Sequence, residues 1–272
     1  MSQTAEKFAT VDPVWSKLRN EALTMVKAEP VLASFVHATI LNHEQFENAL
    51  SFHLSQKLGN ADMNAMSIRQ VFDEAFEKQP AIGEAVRADL SAILDRDPAC
   101  RNFVEPFLYY KGFHAVQAYR VAHWLWNQGR KHMAFYLQNR ISEQYAVDIH
   151  PAAKLGRGLM MDHATGVVIG ETAVVEDDVS MLHEVTLGGT GKETGDRHPK
   201  IRKGSLLSAG AKILGNIEVG ECARVGAGSV VLIDVPANCT AAGVPAKIIG
   251  CAGCEQPSHE MNQMIDEAGE GI

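Results

Sequence analysis

Two hydrophobic periodicities divide the chain close to residue 147. Before that point apolar residues recur at helical spacing; beyond it they recur at every sixth position. In the first half, Asp12 ahead of Pro13 is a cap residue followed by proline at the first helical position, which predicts a helix to about Ala28. Pro30 opens a second, with Leu32, Phe35, Val36, Ile40 and Leu41 at helical spacing, and Gly59-Asn60 breaks the chain after it. A third carries Ile68, Val71, Phe72 and Phe76 and ends before Pro80, and a fourth spans about Ala81 to Leu94. Asp97-Pro98 stops that run, because the residue before a proline avoids the helical region. Two more helices are predicted near Pro106–Gln128 and Arg130–Val147. Aromatic residues crowd them, among them Phe107, Tyr110, Phe113, Tyr119 and Trp124, and read as core and subunit interface.

In the second half, steps of six from Ile149 land on Leu155, Met161, Val167, Ala173, Val179 and Val185, all apolar. Steps of six from Ile201 land on Leu207, Ile213, Val219, Val225 and Val231, all aliphatic. Small residues recur three places later, as at Ala152, Gly158, Ala164, Gly170, Gly204, Gly210 and Gly228. Neither a helix nor an ordinary alternating strand has this period. Short flat strands joined by tight corners do, with small residues easing the corners. Three such faces make one coil of about 18 residues, and stacked coils bury the aliphatic column and pair through parallel ladders. The prediction is a β-helix of hexapeptide repeats. The two runs are out of step across Val185 to Ile201, so an excursion of ten residues interrupts the solenoid there. It spans 188–199, holds four glycines and ends in Arg197-His198-Pro199, which marks it as a functional loop.

The domain reading is therefore a helical region over 1–146, a repeat region over 147–250, and a flexible acidic tail over 251–272. A chain of 272 residues with 46% hydrophobic content supports two cores. Its net charge of -8 argues against nucleic-acid and anionic-membrane partners. No apolar run reaches the roughly 18–20 residues of a membrane span. Met1–Thr10 has no basic segment leading into an apolar one, so no secretory leader is expected. The odd, scattered cysteines, Cys100, Cys222, Cys239, Cys251 and Cys254, suit a reducing cytoplasm better than a disulfide framework. Cys251 and Cys254 form a CxxC without a strand-to-helix context or a second ligand pair.

Two histidine segments carry candidate chemistry. Asp148 and His163 are 15 residues apart, which on a coil of about 18 places His163 one rung on and about half a face away. An imidazole is the natural general base for an alcohol, and a carboxylate on its other nitrogen fixes the tautomer and stabilises the imidazolium. A solvated histidine at a solenoid corner explains the same spacing.

Several segments are far more specific than the hexads. Asp-Ile-His-Pro-Ala-Ala (148–153), Asp-His-Ala-Thr-Gly (162–166), Gly-Gly-Thr-Gly-Lys (188–192) and Gly-Asp-Arg-His-Pro-Lys-Ile (195–201) resemble bacterial serine acetyltransferases of the hexapeptide-repeat acyltransferase superfamily. So do Leu-Tyr-Tyr-Lys-Gly-Phe-His-Ala-Val-Gln-Ala-Tyr-Arg (108–120) and Ala-Ala-Gly-Val-Pro-Ala-Lys (241–247), and the resemblance covers nearly the whole chain.

The resemblance implies an all-α N-terminal domain followed by a left-handed parallel β-helix, assembled as a trimer or a dimer of trimers with active sites between neighbouring subunits. It implies transfer of acetyl from acetyl-CoA to L-serine, giving O-acetyl-L-serine, with no permanently bound cofactor and no metal. His163 would deprotonate the hydroxyl, oriented by Asp148, in a direct transfer. No serine or cysteine of the repeat matches a nucleophile motif, in agreement. Asp97 and Asp162 would take the serine ammonium, and Arg197 its carboxylate, with His198 beside it. Gly189, Thr190, Ala209, Gly210, Ala227, Gly228 and Lys247 are the candidates for the CoA arm. L-cysteine is the implied feedback inhibitor. The ending Gly-Glu-Gly-Ile is similar to tails that insert into cysteine synthase (O-acetylserine sulfhydrylase), with Ile272 as the contact. Three other readings compete. They are the same architecture acting on another acceptor, a non-catalytic scaffold, and a zinc-dependent β-helix enzyme of the carbonic anhydrase type using His150, His163, His183 and His198.

Overall fold

The computed structural model describes residues 12–191, 194–251 and 255–264. The helices are α1 (Pro13–Ala28), α2 (Ala33–Val36), α3 (Phe46–Leu58), α4 (Ala65–Lys78), α5 (Ala81–Arg96), α6 (Val104–Tyr109), α7 (Lys111–Asn127), α8 (Lys131–Tyr145) and α9 (Pro257–Glu260). Asp12 caps α1 as its position suggests, accepting from the N–H groups of Val14 and Trp15 at 3.1 Å. The second predicted helix is broken. After α2 a π turn over His37–Leu41 ends the helical run, and α3 begins only at Phe46. Side chains of α1 claim the carbonyls between: Trp15 Nε1 donates to Glu44 O at 2.9 Å, and Arg19 donates to His43 O. The helix predicted over Pro106–Gln128 is also two, α6 and α7, split at Tyr110.

The strands are β1 (Val147–Ile149), β2 (Lys154–Leu155), β3 (Met160–Met161), β4 (Val167–Ile169), β5 (Val174–Val175), β6 (Ser180–Met181), β7 (Thr186–Gly188) and β8 (Lys200–Ile201). They continue as β9 (Leu206–Leu207), β10 (Lys212–Leu214), β11 (Glu218–Val219), β12 (Arg224–Val225), β13 (Val230–Val231), β14 (Thr240–Gly243) and β15 (Ala246–Gly250). They form three sheets ordered β1-β4-β7-β10-β13, β2-β5-β8-β11 and β3-β6-β9-β12-β14-β15, parallel throughout except for the last pair. Successive strands of the chain belong to successive sheets, so the chain winds as a β-helix.

The stacked columns correct the six-residue count. Ile149 lies opposite Ile169, 20 residues on, whereas Ile169 lies opposite Leu187, 18 on. Two extra residues therefore sit in the first coil, at the corner 162–166. His163 and Ala164 there take φ of 54° and 60°. The column over the first sheet is Ile149, Ile169, Leu187, Ile213 and Val231. Val167, Ala173, Val179 and Val185 are two residues ahead of their columns and fill the other inward position of each face, equally buried. Leu187 lies opposite Ile213, 26 residues on, so the excursion adds eight residues and not ten.

A second correction concerns the cysteines. Cys239 and Cys251 are joined as a disulfide. The antiparallel pairing of β14 with β15, invisible to six-residue counting, sets Thr240 opposite Gly250 and so brings their neighbours together. Cys100 and Cys222 are free, and Cys254 lies outside the described residues.

A buried ion pair joins the helical region to the solenoid. Asp89 of α5 accepts from Arg120 of α7 at 2.6 Å and from the Leu159 N–H at 2.9 Å, while Arg120 also donates to Gly156 O at 2.7 Å. Gly112 brings α7 against the first coil so closely that any side chain there would collide with the Met161 carbonyl. No helix among the described residues is long and apolar enough to cross a membrane.

Candidate active site

The predicted site residues gather at two corners of the coil, either side of the first sheet. One corner lies where β3 turns into β4 and β6 into β7. Its outermost residue is His163, whose side chain is 75% exposed. His163 Nε2 lies 3.7 Å from Asp162 Oδ2, and its ring lies edge-on to His183, centroids 6.1 Å apart. Asp97 ends α5 in an extended conformation, as the Asp-Pro step predicts. Burial holds the Asp162 carboxyl above the usual carboxylate range, the Asp97 charge pushes it the same way, and His163 opposes both. The break at Tyr110 places that hydroxyl beside Asp97; burial, then the Asp97 charge, raises its pKa. Lys111 Nζ donates to Thr165 Oγ1 and ties the corner to α7.

Below His163 the corner continues as a ladder of backbone hydrogen bonds. Glu184 N–H donates to Thr165 O at 2.7 Å, Gly210 N–H to His183 O at 2.9 Å, and Gly228 N–H to Ala209 O at 2.8 Å. Ala209, Gly210, Ala227 and Gly228 thus lie in line under the two histidines. Gly210 and Gly228 have φ of 72° and 66°, which only glycine adopts freely. A Cβ on Gly228 would have no neighbour within 4 Å, so this edge is smooth and open. Lys247 is exposed on β15 opposite Ala242.

The other corner lies where β1, β4 and β7 turn into β2, β5 and β8. Arg197 Nη2 is held by Glu171 Oε2 at 2.8 Å, and that hydrogen bond lowers the Glu171 pKa. Thr172 organises the pair: its Oγ1 accepts from the N–H groups of Arg197 at 3.0 Å and His198 at 3.1 Å, and its hydroxyl lies 2.9 Å from His198 Nδ1. His198 Nδ1 also accepts from the Thr172 N–H at 3.2 Å, which leaves the ring proton on Nε2. Burial first, then Arg197, lowers the His198 pKa. The ring lies against Gly170, where any Cβ would come within 2.1 Å of His198 Cδ2 and Nε2. His150 joins this corner, braced by Trp126 and Phe135 with centroids 5.1 and 5.6 Å away. Gly189 packs beside the Arg197 side chain, and Thr190 lies beside Gly215.

Asp148 lies between the corners on the outward face of β1, opposite Val168, and its Oδ1 accepts from Gln138 Nε2 at 2.6 Å. Among the described residues no hydrogen bond or ion pair joins Asp148 to His163; the two extra residues of the first coil carry His163 outward at its corner. Among the described residues no group of three or more His, Cys, Asp or Glu side chains is placed to hold a metal ion, so the zinc alternative has no ligand set there. Ile272 lies outside the described residues.

Residues 14–118 match the family model described as serine acetyltransferase, N-terminal. The chain is 55% identical over 265 residues to the serine acetyltransferases of Salmonella typhimurium and Escherichia coli, covering 95% of this chain and 97% of each relative. The chain belongs to the serine acetyltransferase family. The fold agrees. The Vibrio cholerae serine acetyltransferase superposes with a TM-score of 0.91 at 58% identity, covering 92% of this chain and 97% of that one. The Brucella abortus enzyme in complex with coenzyme A gives 0.88 at 57% identity, over 90% and 98%. A serine acetyltransferase in complex with cysteine gives 0.92 at 55%, over 93% and 98%. This chain is therefore an acyltransferase whose helical region leads into a β-solenoid.

Within this serine acetyltransferase, sequence reasoning passed over Glu171, Thr172 and Tyr110 and left His183 aside. Thr172 and His198 are 26 residues apart, the length of the coil that contains the excursion, so the sequence carried that signal only once the coil length was known. Tyr110 and Asp97 belong to separate helices, and no local pattern joins them.

Proposed function

We propose that this chain acetylates the hydroxyl of L-serine from acetyl-CoA by direct transfer, with His163 as general base. One observation carries the reading: the imidazole, the paired carboxylates of Asp97 and Asp162, and the open column Ala209-Gly210 and Ala227-Gly228 share one corner. The Asp97 charge helps hold the Asp162 carboxyl up, and an ammonium placed between two such carboxylates relieves that repulsion. An extended pantetheine lying along the column brings its thioester up to His163. The serine oxygen then loses its proton to His163 and bonds to the carbonyl carbon. Collapse of the tetrahedral intermediate breaks the carbon–sulfur bond, and the proton passes to the leaving thiolate. Asp148 is the orienting carboxylate for His163, reached by small movements at the corner once substrate is bound.

Arg197 and His198 supply the carboxylate site, but from the opposite corner. The corners are separated by a sheet face on the order of 15 Å wide and point apart, while a serine is only about 5 Å long. One chain therefore cannot hold both ends of one serine. The site is completed by the Arg197 corner of a neighbouring chain, Gly189 and Thr190 with it, in a closed trimer. The helical regions join two trimers. L-cysteine, which carries the same ammonium and carboxylate as serine, occupies this site as inhibitor; the cysteine complex of a relative supports that. Lys247 pairs with the CoA phosphates. The tail ending in Ile272 engages cysteine synthase, and loss of capture on deleting Ile272 is the outcome expected. The protein works in the cytoplasm.

Thiol release from acetyl-CoA by the purified protein, with L-serine and with a panel of amino acids and sugars, tests the reaction. Release dependent on L-serine, with O-acetylserine as product, is expected, and His163→Ala should lower turnover by about 10²–10⁴-fold. Release with another acceptor alone would discard serine as substrate.

A further inference from the structure

The third sheet differs from the second in what it turns outward. Its outward row, Met160, Ser180, Leu206, Arg224 and Thr240, is buried throughout, whereas Lys154, Val174, Lys200 and Glu218 of the second sheet are open or half-open. The C-terminal segment 255–264 helps to cover that row. A buried guanidinium needs partners, and Arg224 finds them in this segment, donating to Asn262 O and Met264 O at 3.3 Å each. Further up, α9 lies against α5. Ser180 Oγ donates to the carbonyl of the buried Ser258 at 2.7 Å. His259 sits between Asp95 Oδ2 at 3.2 Å and Arg96 Nη2 at 3.3 Å. Arg96 is itself buried and donates to Gly158 O at 3.0 Å and Ser180 Oγ at 3.1 Å. The next residue is Asp97, so the segment braces the end of α5 that carries a proposed serine ligand.

The root of this segment is Cys251, joined to Cys239. It leaves β15, which ends the sheet, pairs only with β14 and is largely open to solvent. We propose that the Cys239–Cys251 disulfide is an exchange site for a small-molecule thiol, and that opening it loosens the segment 255–264 and with it the seat of Asp97. The two sulfurs differ in access: Cys239 is buried and Cys251 is exposed. An incoming thiolate therefore attacks Cys251 Sγ. The sulfur–sulfur bond breaks, its electron pair leaves on Cys239 Sγ, and that sulfur takes up a proton. A second thiolate attacks the small-molecule sulfur of the mixed disulfide and releases Cys251, which is protonated in turn. Two small thiols are oxidised to one disulfide, and one protein disulfide is reduced to two thiols. A small-molecule disulfide runs the same steps in reverse. An exposed disulfide of this kind is labile, and in a cytoplasm such bonds serve as sensors rather than as permanent struts. With the bond open, the end of β15 is held by its hairpin alone, and the segment beyond it spends more of its time off the third sheet.

The inference rests on the proposed place of Asp97 in the serine site, and two readouts keep the two apart. The full chain is oxidised with glutathione disulfide, or reduced with dithiothreitol and freed of it. Peptide mapping with trapped thiols should find Cys239 bonded to Cys251 in the first state only. Amide hydrogen exchange over 255–261 should quicken about tenfold or more on reduction. The KM for serine should rise about three- to tenfold, as the fraction of molecules with Asp97 seated falls, with kcat within about twofold. Reoxidation should restore both. Cys254→Ser should respond as the parent does, and adding Cys251→Ser to it should fix the reduced values in either medium. Thermal unfolding shows that both variants are folded. A parent that forms no Cys239–Cys251 bond, or whose exchange over 255–261 is the same in both states, would overturn the proposal. So would a Cys251→Ser variant that still responds to the thiol. Faster exchange with an unchanged serine KM would overturn the link to Asp97. Absence of serine-dependent thiol release in both states would fell the acetyl-transfer reading instead, while the exchange rates still decide the fastening.

Discussion

Gly170 decides where His198 can lie. The imidazole occupies the space of a Cβ at that position, so Gly170→Ala forces the ring off its Thr172 hydrogen bonds. Two lost hydrogen bonds cost roughly 1–3 kcal/mol of folding stability, so Tm should fall by several degrees, and the KM for serine should rise as the ring is displaced from the carboxylate site. Steady-state kinetics against serine check it, and an unchanged KM would mean that His198 does not bear on the carboxylate. On the proposed function, Asp162 gives the site its acid limb. Its carboxyl is held up by burial first and by Asp97 next, and it must be ionised to hold an ammonium. Serine KM should therefore climb on acidification from a pH above the range of an ordinary aspartate, near 3.9. The stability sign is opposite: a raised carboxyl pKa in the folded state opposes folding as pH rises through it, so Asp162→Asn should leave Tm at neutral pH unchanged or raise it. A pH profile of KM for the parent and for Asp162→Asn, flat in the variant, tests this. These residues were open to recognition one by one. Their grouping was not, since Asp97 and Asp162 meet only because α5 ends where the first coil bulges.

At the scale of elements, the site depends on how the helices clamp the solenoid. α5 delivers Asp97, α7 delivers Lys111, and the pair Asp89–Arg120 fixes both against the first coil at Gly156 and Leu159. The two side chains are 1% and 7% exposed, so removing one leaves the other charge buried and unpaired. Arg120→Met should cost about 3–5 kcal/mol of stability, measured by denaturant unfolding. The double variant Asp89→Leu with Arg120→Met should recover much of that loss. A single variant as stable as the parent would remove the clamp from the account. Helix spacing revealed most of these elements, including the stop at Asp97. It missed the breaks at 42–45 and at Tyr110, because both are imposed by tertiary contacts: Trp15 and Arg19 capture carbonyls in one, and α7 closes on Met161 in the other.

For the whole molecule, the six-residue period was enough to predict a solenoid, since nothing else buries an apolar residue at every sixth place. It could not show that the first coil holds 20 residues rather than 18, and that difference is what lifts His163 out at its corner. Nor could it show the β14–β15 hairpin that closes the solenoid and brings Cys239 to Cys251. The proposed division of the substrate residues between two corners has the largest consequence, because in the proposed trimer a single chain is half of two sites. Mixed assembly tests that claim most directly. Folded His163→Ala and Arg197→Ala proteins, each inactive alone, are dissociated together, reassembled at equal amounts, and assayed for serine-dependent thiol release. Random closed trimers built this way leave about a quarter of the sites with both side chains intact, so roughly a quarter of parent activity should return. A mixture that stays as inactive as its parts would place the whole site within one chain and contradict the account.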